Sequence, residues 1–161
     1  MKTVLFEGDI IAVKNAEELM SDKIVAIVAR GESWKTPKAR DVLDFYHLGE
    51  TLKILKTDMH LAEIKKLVYA KMREYGLDKD VIEKGAKAIM DWVNSSESMK
   101  VLKDNFVKYS TLLSDVASHF ADQHCSQVKE YFKKKFPEVV NFILEDKSQC
   151  VMKSGLRLKN C

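Results

Sequence analysis

Proline and glycine are scarce. Two prolines and six glycines in 161 residues leave too few turn formers for a loop-rich β architecture, and favour long regular elements. The glycines, Gly8, Gly31, Gly49, Gly76, Gly85 and Gly155, stand alone, so no phosphate-cradling loop is present. Arginine is scarce too: Arg30, Arg40, Arg73 and Arg157 are the only four, and all other basic residues are lysine. Lysine lacks the fork that reads guanine or clamps phosphate, so any nucleic-acid binding should be sequence-blind and salt-dependent. The three cysteines, Cys125, Cys150 and Cys161, are odd in number and lack zinc spacing. They read as free thiols in a reducing, cytoplasmic compartment. No stretch approaches 18 uncharged apolar residues, so no membrane span is expected. Glu7 interrupts the first apolar run too early for a secretory signal.

What the chain does have is 46% hydrophobic and 32% charged residues, ordinary for a domain that buries a real core. The net charge of +3 is uneven: residues 129–161 carry eight Lys/Arg against four Asp/Glu, and the remainder is slightly acidic. The expectation is an all-α, or nearly all-α, bundle of five to six helices. It has a long helix in the C-terminal half and a minor N-terminal β-hairpin. A single domain over 1–146 would comprise a hairpin and helix (1–36), helical hairpins (37–94), and the long helix with a short terminal one (95–146). Residues 147–161 read as a mobile basic tail.

Val4-Leu5-Phe6 and Ile10-Ile11-Ala12-Val13 flank a Gly8-Asp9 pair, which suggests the hairpin. Asn15 with Glu18 forms a capping box, and Gly31 sits where a helix would stop, so 15–30 reads as one helix. The β-branched run Ile24–Val28 leaves a short helix followed by a strand as the alternative. After a linker holding Trp34, a helix over Pro37–Lys56 turns Val42, Phe45, Tyr46, Leu52 and Leu55 inward. Gly49 weakens it and opens room for another helix. Thr57-Asp58 caps a third helix with Ile64, Val68, Met72 and Tyr75 on its apolar face, stopped by Gly76. Asp80 with Glu83 caps a fourth, which ends at Asn94-Ser95-Ser96.

From Ser98 to about Lys135 a heptad seam runs through Met99, Leu102, Phe106, Tyr109, Leu113, Val116 and Phe120. Its rhythm changes to steps of four at His124 and Val128, a stutter. An unbroken helix of this length exceeds what a domain of this size needs. A break is expected, because Tyr109-Ser110-Thr111 and Ser114 form helix poorly. Ser95, Ser96 and Ser98 offer N-caps. Pro137 should end the long helix and open a short last one reaching Asp146.

Met72–Asp78 with Ile82 has the outline of a helix-turn-helix turn. However, Met72 is too large for its crossing and the next helix opens with Asp78, Asp80 and Glu83, so an ordinary helical connection is expected. His47 with Glu50, and His60 with Glu63, repeat a His-x-x-Glu spacing, read as surface pairs rather than metal ligands. No metal, cofactor or catalytic residue is expected. The expected function is a non-enzymatic interaction or assembly protein. It would form a homo-oligomer, or dock a helical protein partner, through the Met99–Phe120 seam. The alternative is a sequence-blind nucleic-acid binder using the lysine and aromatic cluster at 129–136 and the tail. That set is Lys129, Lys133, Lys134, Lys135, Lys147, Lys153, Arg157 and Lys159.

Overall fold

A computed structural model describes residues 2–7, 9–33, 39–110 and 114–145. Strands β1 (Lys2–Phe6) and β2 (Asp9–Val13) form an antiparallel hairpin, with Phe6 opposite Asp9 and Lys2 opposite Val13. Six helices follow among the described residues: α1 (Ala16–Ser33), α2 (Ala39–Leu52), α3 (Asp58–Glu74), α4 (Lys79–Asn94), α5 (Ser98–Tyr109) and α6 (Ser114–Leu144). The fold is thus an all-α bundle with a minor N-terminal β element.

Local chemistry sets most of the helix ends. The Asn15 capping box closes reciprocally, each residue's amide donating to the other's side chain at 2.8 Å. Residues 16–33 form one helix, which runs through Gly31 rather than stopping there. Thr57 caps α3, and Gly76 at φ 64° ends it, with the Leu77 amide donating to the Met72 carbonyl at 2.8 Å. The cap of α4 is Asp78, not Asp80, since its carboxylate accepts from the Val81 amide. Helix α2 ends at Leu52, short of Lys56. Lys53 takes φ 52°, Leu52 is turned outward, and the turn buries Ile54 and Leu55. Tyr75 also points out, at 67% exposure, because the chain has left the helix by then.

The packing has two hubs. Helix α1 packs on α2, α3 and α4, and so does α6, while among the described residues the backbones of α1 and α6 are not neighbours. Helices α3 and α4 lie side by side through α1 and α6 rather than against each other. Helix α5 covers α6 and touches α2 and α4. Between the hubs, Met20, Ile24 and Val28 of α1, Val42 and Phe45 of α2, Ile64 and Val68 of α3, and Ile82 and Ile89 of α4 are buried. From α6 come Val128, Phe132, Phe136 and Ile143. Phe45 meets Phe132 and Phe136 edge-on at 5.2 and 5.5 Å. Gly49 does admit another helix: Tyr131 of α6 lies over it, where a Cβ would stand 2.3 Å from the phenol oxygen. A half-buried ionic cluster ties α1 to α2, with Arg30 bonded to Asp41 and Lys23 2.7 Å from Asp44.

Pro137 does not end a helix. Helix α6 passes straight through it to Leu144, so among the described residues there is no separate terminal helix. The lost amide bond is outweighed by what lies beyond: Val139, Val140 and Ile143 are buried, and α3 holds the end of the helix. The Lys65 ammonium donates to the Phe142 carbonyl at 3.2 Å and to the Glu145 carbonyl, while the Tyr69 hydroxyl donates to the Ile143 carbonyl at 3.0 Å. Two side chains from α3 thus donate to carbonyls at the C-terminal end of α6, the end of a helix that favours cations and donors.

Candidate interaction face at the junction of two helices

The chain does break within the expected seam, between Tyr109 and Ser114, where Ser110 is extended at ψ 144°. It does not break at the stutter, which lies inside the continuous α6. Breaking there resets the inward face. On α5 the seam residue Leu102 is fully buried, and Met99 and Phe106 pack partly buried against the core. Leu102 is therefore a core residue rather than a partner contact. On α6 the inward face is Ala117, Ala121, Cys125 and Val128, one position on from Val116 and Phe120. The small side chains let α5 close on α6, and the bulky neighbours are turned outward. Tyr109 is 54% exposed, Val116 41% and Phe120 49%. Leu113 lies outside the described residues.

Beside Tyr109 and Phe120 the surface is concave and aromatic. One cleft, of about 370 Å³, is lined by Arg40, Leu43 and His47 of α2 and by Asn105, Phe106 and Tyr109 of α5. A second, of about 380 Å³, is lined by Phe106, Phe120, Gln123, His124 and Gln127. Phe106 is the wall between them. Arg40 and Lys108 each place a cation about 5 Å from the Tyr109 ring centre, at 5.1 and 5.2 Å.

Behind the clefts lies a cluster that sequence spacing did not bring together. His124 stacks on His47 at 5.2 Å and on Phe106 at 4.6 Å, with Tyr46 edge-on at 5.6 Å. Burial, and secondarily His47, holds the His124 imidazole below the usual histidine range. Its neighbour Cys125 faces the core instead, and burial pushes that thiol up to about 11, with Lys103 opposing the rise. A thiol held neutral in the core is a poor nucleophile.

The lysine and aromatic cluster is distributed differently from a stacking platform. Phe132 and Phe136 are fully buried and stack on each other at 4.6 Å, so neither ring is open to a base. Lys129 donates to the Ser98 hydroxyl at 3.0 Å, Lys133 lies 3.7 Å from Glu130, and Lys135 lies 2.8 Å from Glu138. Lys134 is exposed. Lys147, Lys153, Arg157 and Lys159 lie outside the described residues, as do Cys150, Cys161 and Trp34. Ser98, rather than capping α5, is buried in its first turn and donates to the carbonyls of Val93 and Ser95.

The histidines do not pair with the glutamates three residues on. His60 Nδ1 is 2.7 Å from Glu17 of α1, and Glu63 faces Lys66 at 3.7 Å. Among the described residues no three His, Cys, Asp or Glu side chains gather as metal ligands, and no helix is long and apolar enough to cross a membrane. Comparisons of the chain with protein-family models, with curated proteins and with solved structures found no match.

Proposed function

We propose that this chain is a non-enzymatic helical interaction protein, self-associating or docking a partner helix through the face where α5 meets α6. One observation carries the reading: Tyr109, Val116 and Phe120, three large apolar side chains at adjoining helix ends, are each roughly half open to solvent. Covering the open half of such a side chain is worth about 1 kcal/mol, so three together favour a partner by a few kcal/mol before ordering costs. The clefts on either side of Phe106 supply concave surface for the partner's side chains, and aromatic residues with arginine are the types enriched at interface centres. Within this reading Tyr109, Val116 and Phe120 make the contact, Phe106 lines both clefts, and Met99 packs against the core.

Light scattering at tens of micromolar tests it. The expected result is a mass above the 18.5 kDa of one chain, returned to one chain by Phe120→Glu with the helical signal unchanged. A wild-type chain that stays strictly monomeric at those concentrations removes self-association.

A further inference from the structure

His124 sits where burial disfavours a charged imidazole. Its ring is stacked against His47 of α2 and Phe106 of α5, and its Nε2 is sealed from solvent with no hydrogen-bond partner. A buried nitrogen left unpaired is costly and calls for a reason. An imidazolium there would need a carboxylate, and the neighbouring ones are engaged elsewhere. Asp44, in the same cleft as His47, is 2.7 Å from Lys23, and Asp122, two residues before His124, is bonded to Lys103.

Of the other titratable and charged groups around the stack, none bonds the His124 Nε2. From α2 come the cation Arg40, Tyr46 and the exposed Glu50, one turn beyond His47. From α5 come Lys103, Lys108 and Tyr109. From α6 come His119, which packs on Phe120, the core-facing Cys125, and Tyr131, against Tyr46.

We propose that the His47–His124–Phe106 stack is an acid-sensitive latch that holds α5 onto α2 and α6 at neutral pH and loosens it when His124 gains a proton. Protonation would put a cation against the His47 and Phe106 rings, where the nearby Asp44 and Asp122 are already held by lysines. Relief comes when the sealed Nε2 reaches water, and Phe106, stacked on the ring at 4.6 Å, is the side chain whose movement would open it. Since Phe106 is the wall between the two clefts, the surface at the α5–α6 junction would change shape in the same step. This concerns contacts within one chain and holds whether or not a partner docks there.

The sign follows from burial. A histidine whose folded pKa is depressed contributes stability that is present above the unfolded value, about 6.5, and lost as pH falls below it. The test is hydrogen exchange on the full chain at pH 7.5 and 5.0, corrected for the intrinsic rate. Peptides from Ser98–Tyr109 report on the latch, and peptides from α4 serve as the internal reference. The expected result is a several-fold loss of protection in α5, with little change in α4. His124→Phe, which keeps a ring against Phe106, should abolish the dependence. The exposed His47→Gln should weaken it without risk to the fold.

In parallel, NMR titration of the wild-type His124 ring should give a midpoint below that of a free histidine. The latch is overturned if α5 protection is the same at both pH values. A His124 midpoint at or above the free value, or a folded His124→Phe chain that keeps the wild-type ratio, overturns it equally.

Discussion

Gly85 of α4 lies directly against the carbonyl of Val28 on α1, so close that a Cβ there would stand 1.9 Å from the oxygen. No side-chain rotation relieves an overlap with backbone, so the two helices must part. Gly85→Ala should destabilise the fold by about 3 kcal/mol or more, despite alanine's better helix propensity. Urea unfolding would read this directly, and a neutral or stabilising result would contradict the α1–α4 contact.

Pro137 is tolerated in α6 rather than favoured. Replacing it with alanine restores an amide donor for the Lys133 carbonyl and removes the ring clash of the preceding turn. Pro137→Ala is expected to stabilise the chain by about 1–2 kcal/mol, measured as a higher denaturant midpoint at unchanged slope. A fall in stability would mean that the packing of the ring outweighs the backbone bond.

Lys65 and Tyr69 of α3 hold the far end of the same helix. Lys65→Met keeps the aliphatic stem but loses donors to two carbonyls, at an expected cost of about 1–2 kcal/mol; Tyr69→Phe should cost about 1 kcal/mol. Amide exchange confined to 140–145 would rise in both variants. An unchanged terminus would show that these bonds do not hold it.

Burial makes the chain sensitive to alkali. The Cys125 thiol is pushed up to about 11 from an ordinary 9.0, and the Tyr131 phenol to about 12 from 10.0, in each case chiefly by burial. Both folded values exceed the unfolded ones, so this contribution is complete below pH 9 and drains away as pH rises toward 11 and 12. Stability should fall by a few kcal/mol over that interval, and Cys125→Ser or Cys125→Ala should flatten its lower part. In a chain with Cys150 and Cys161 replaced by serine, Cys125 should resist an aromatic disulfide at pH 8 until denaturant is added.

How far the fold could be read beforehand depended on whether each signal was local. The Asn15 box, the Thr57 cap, the Gly76 stop and the room over Gly49 all depend on short-range chemistry, and each was legible in the residues. Pro137 misled because its local preference is overridden by the buried residues beyond it and by Lys65, a residue more than seventy positions earlier. The seam misled for a different reason. Large side chains mark a heptad, whereas α6 turns inward on Ala117, Ala121 and Cys125, whose small size is what allows close approach. Counting alanine as an inward residue would have revealed the shift of one position. The stack of His47, Phe106 and His124 joins three helices, and no spacing along the chain announces it.

Because α2, α3 and α4 each pack on both α1 and α6, folding cannot be completed by any contiguous half of the chain. Helix α6, over Ser114–Leu144, packs on α2 and α3 from the first half of the chain, so the bundle requires contacts between residues more than seventy positions apart. Such separation slows folding relative to an up-and-down bundle of equal size. A nascent chain emerging from its N-terminus would expose the inner faces of three helices until α6 arrives.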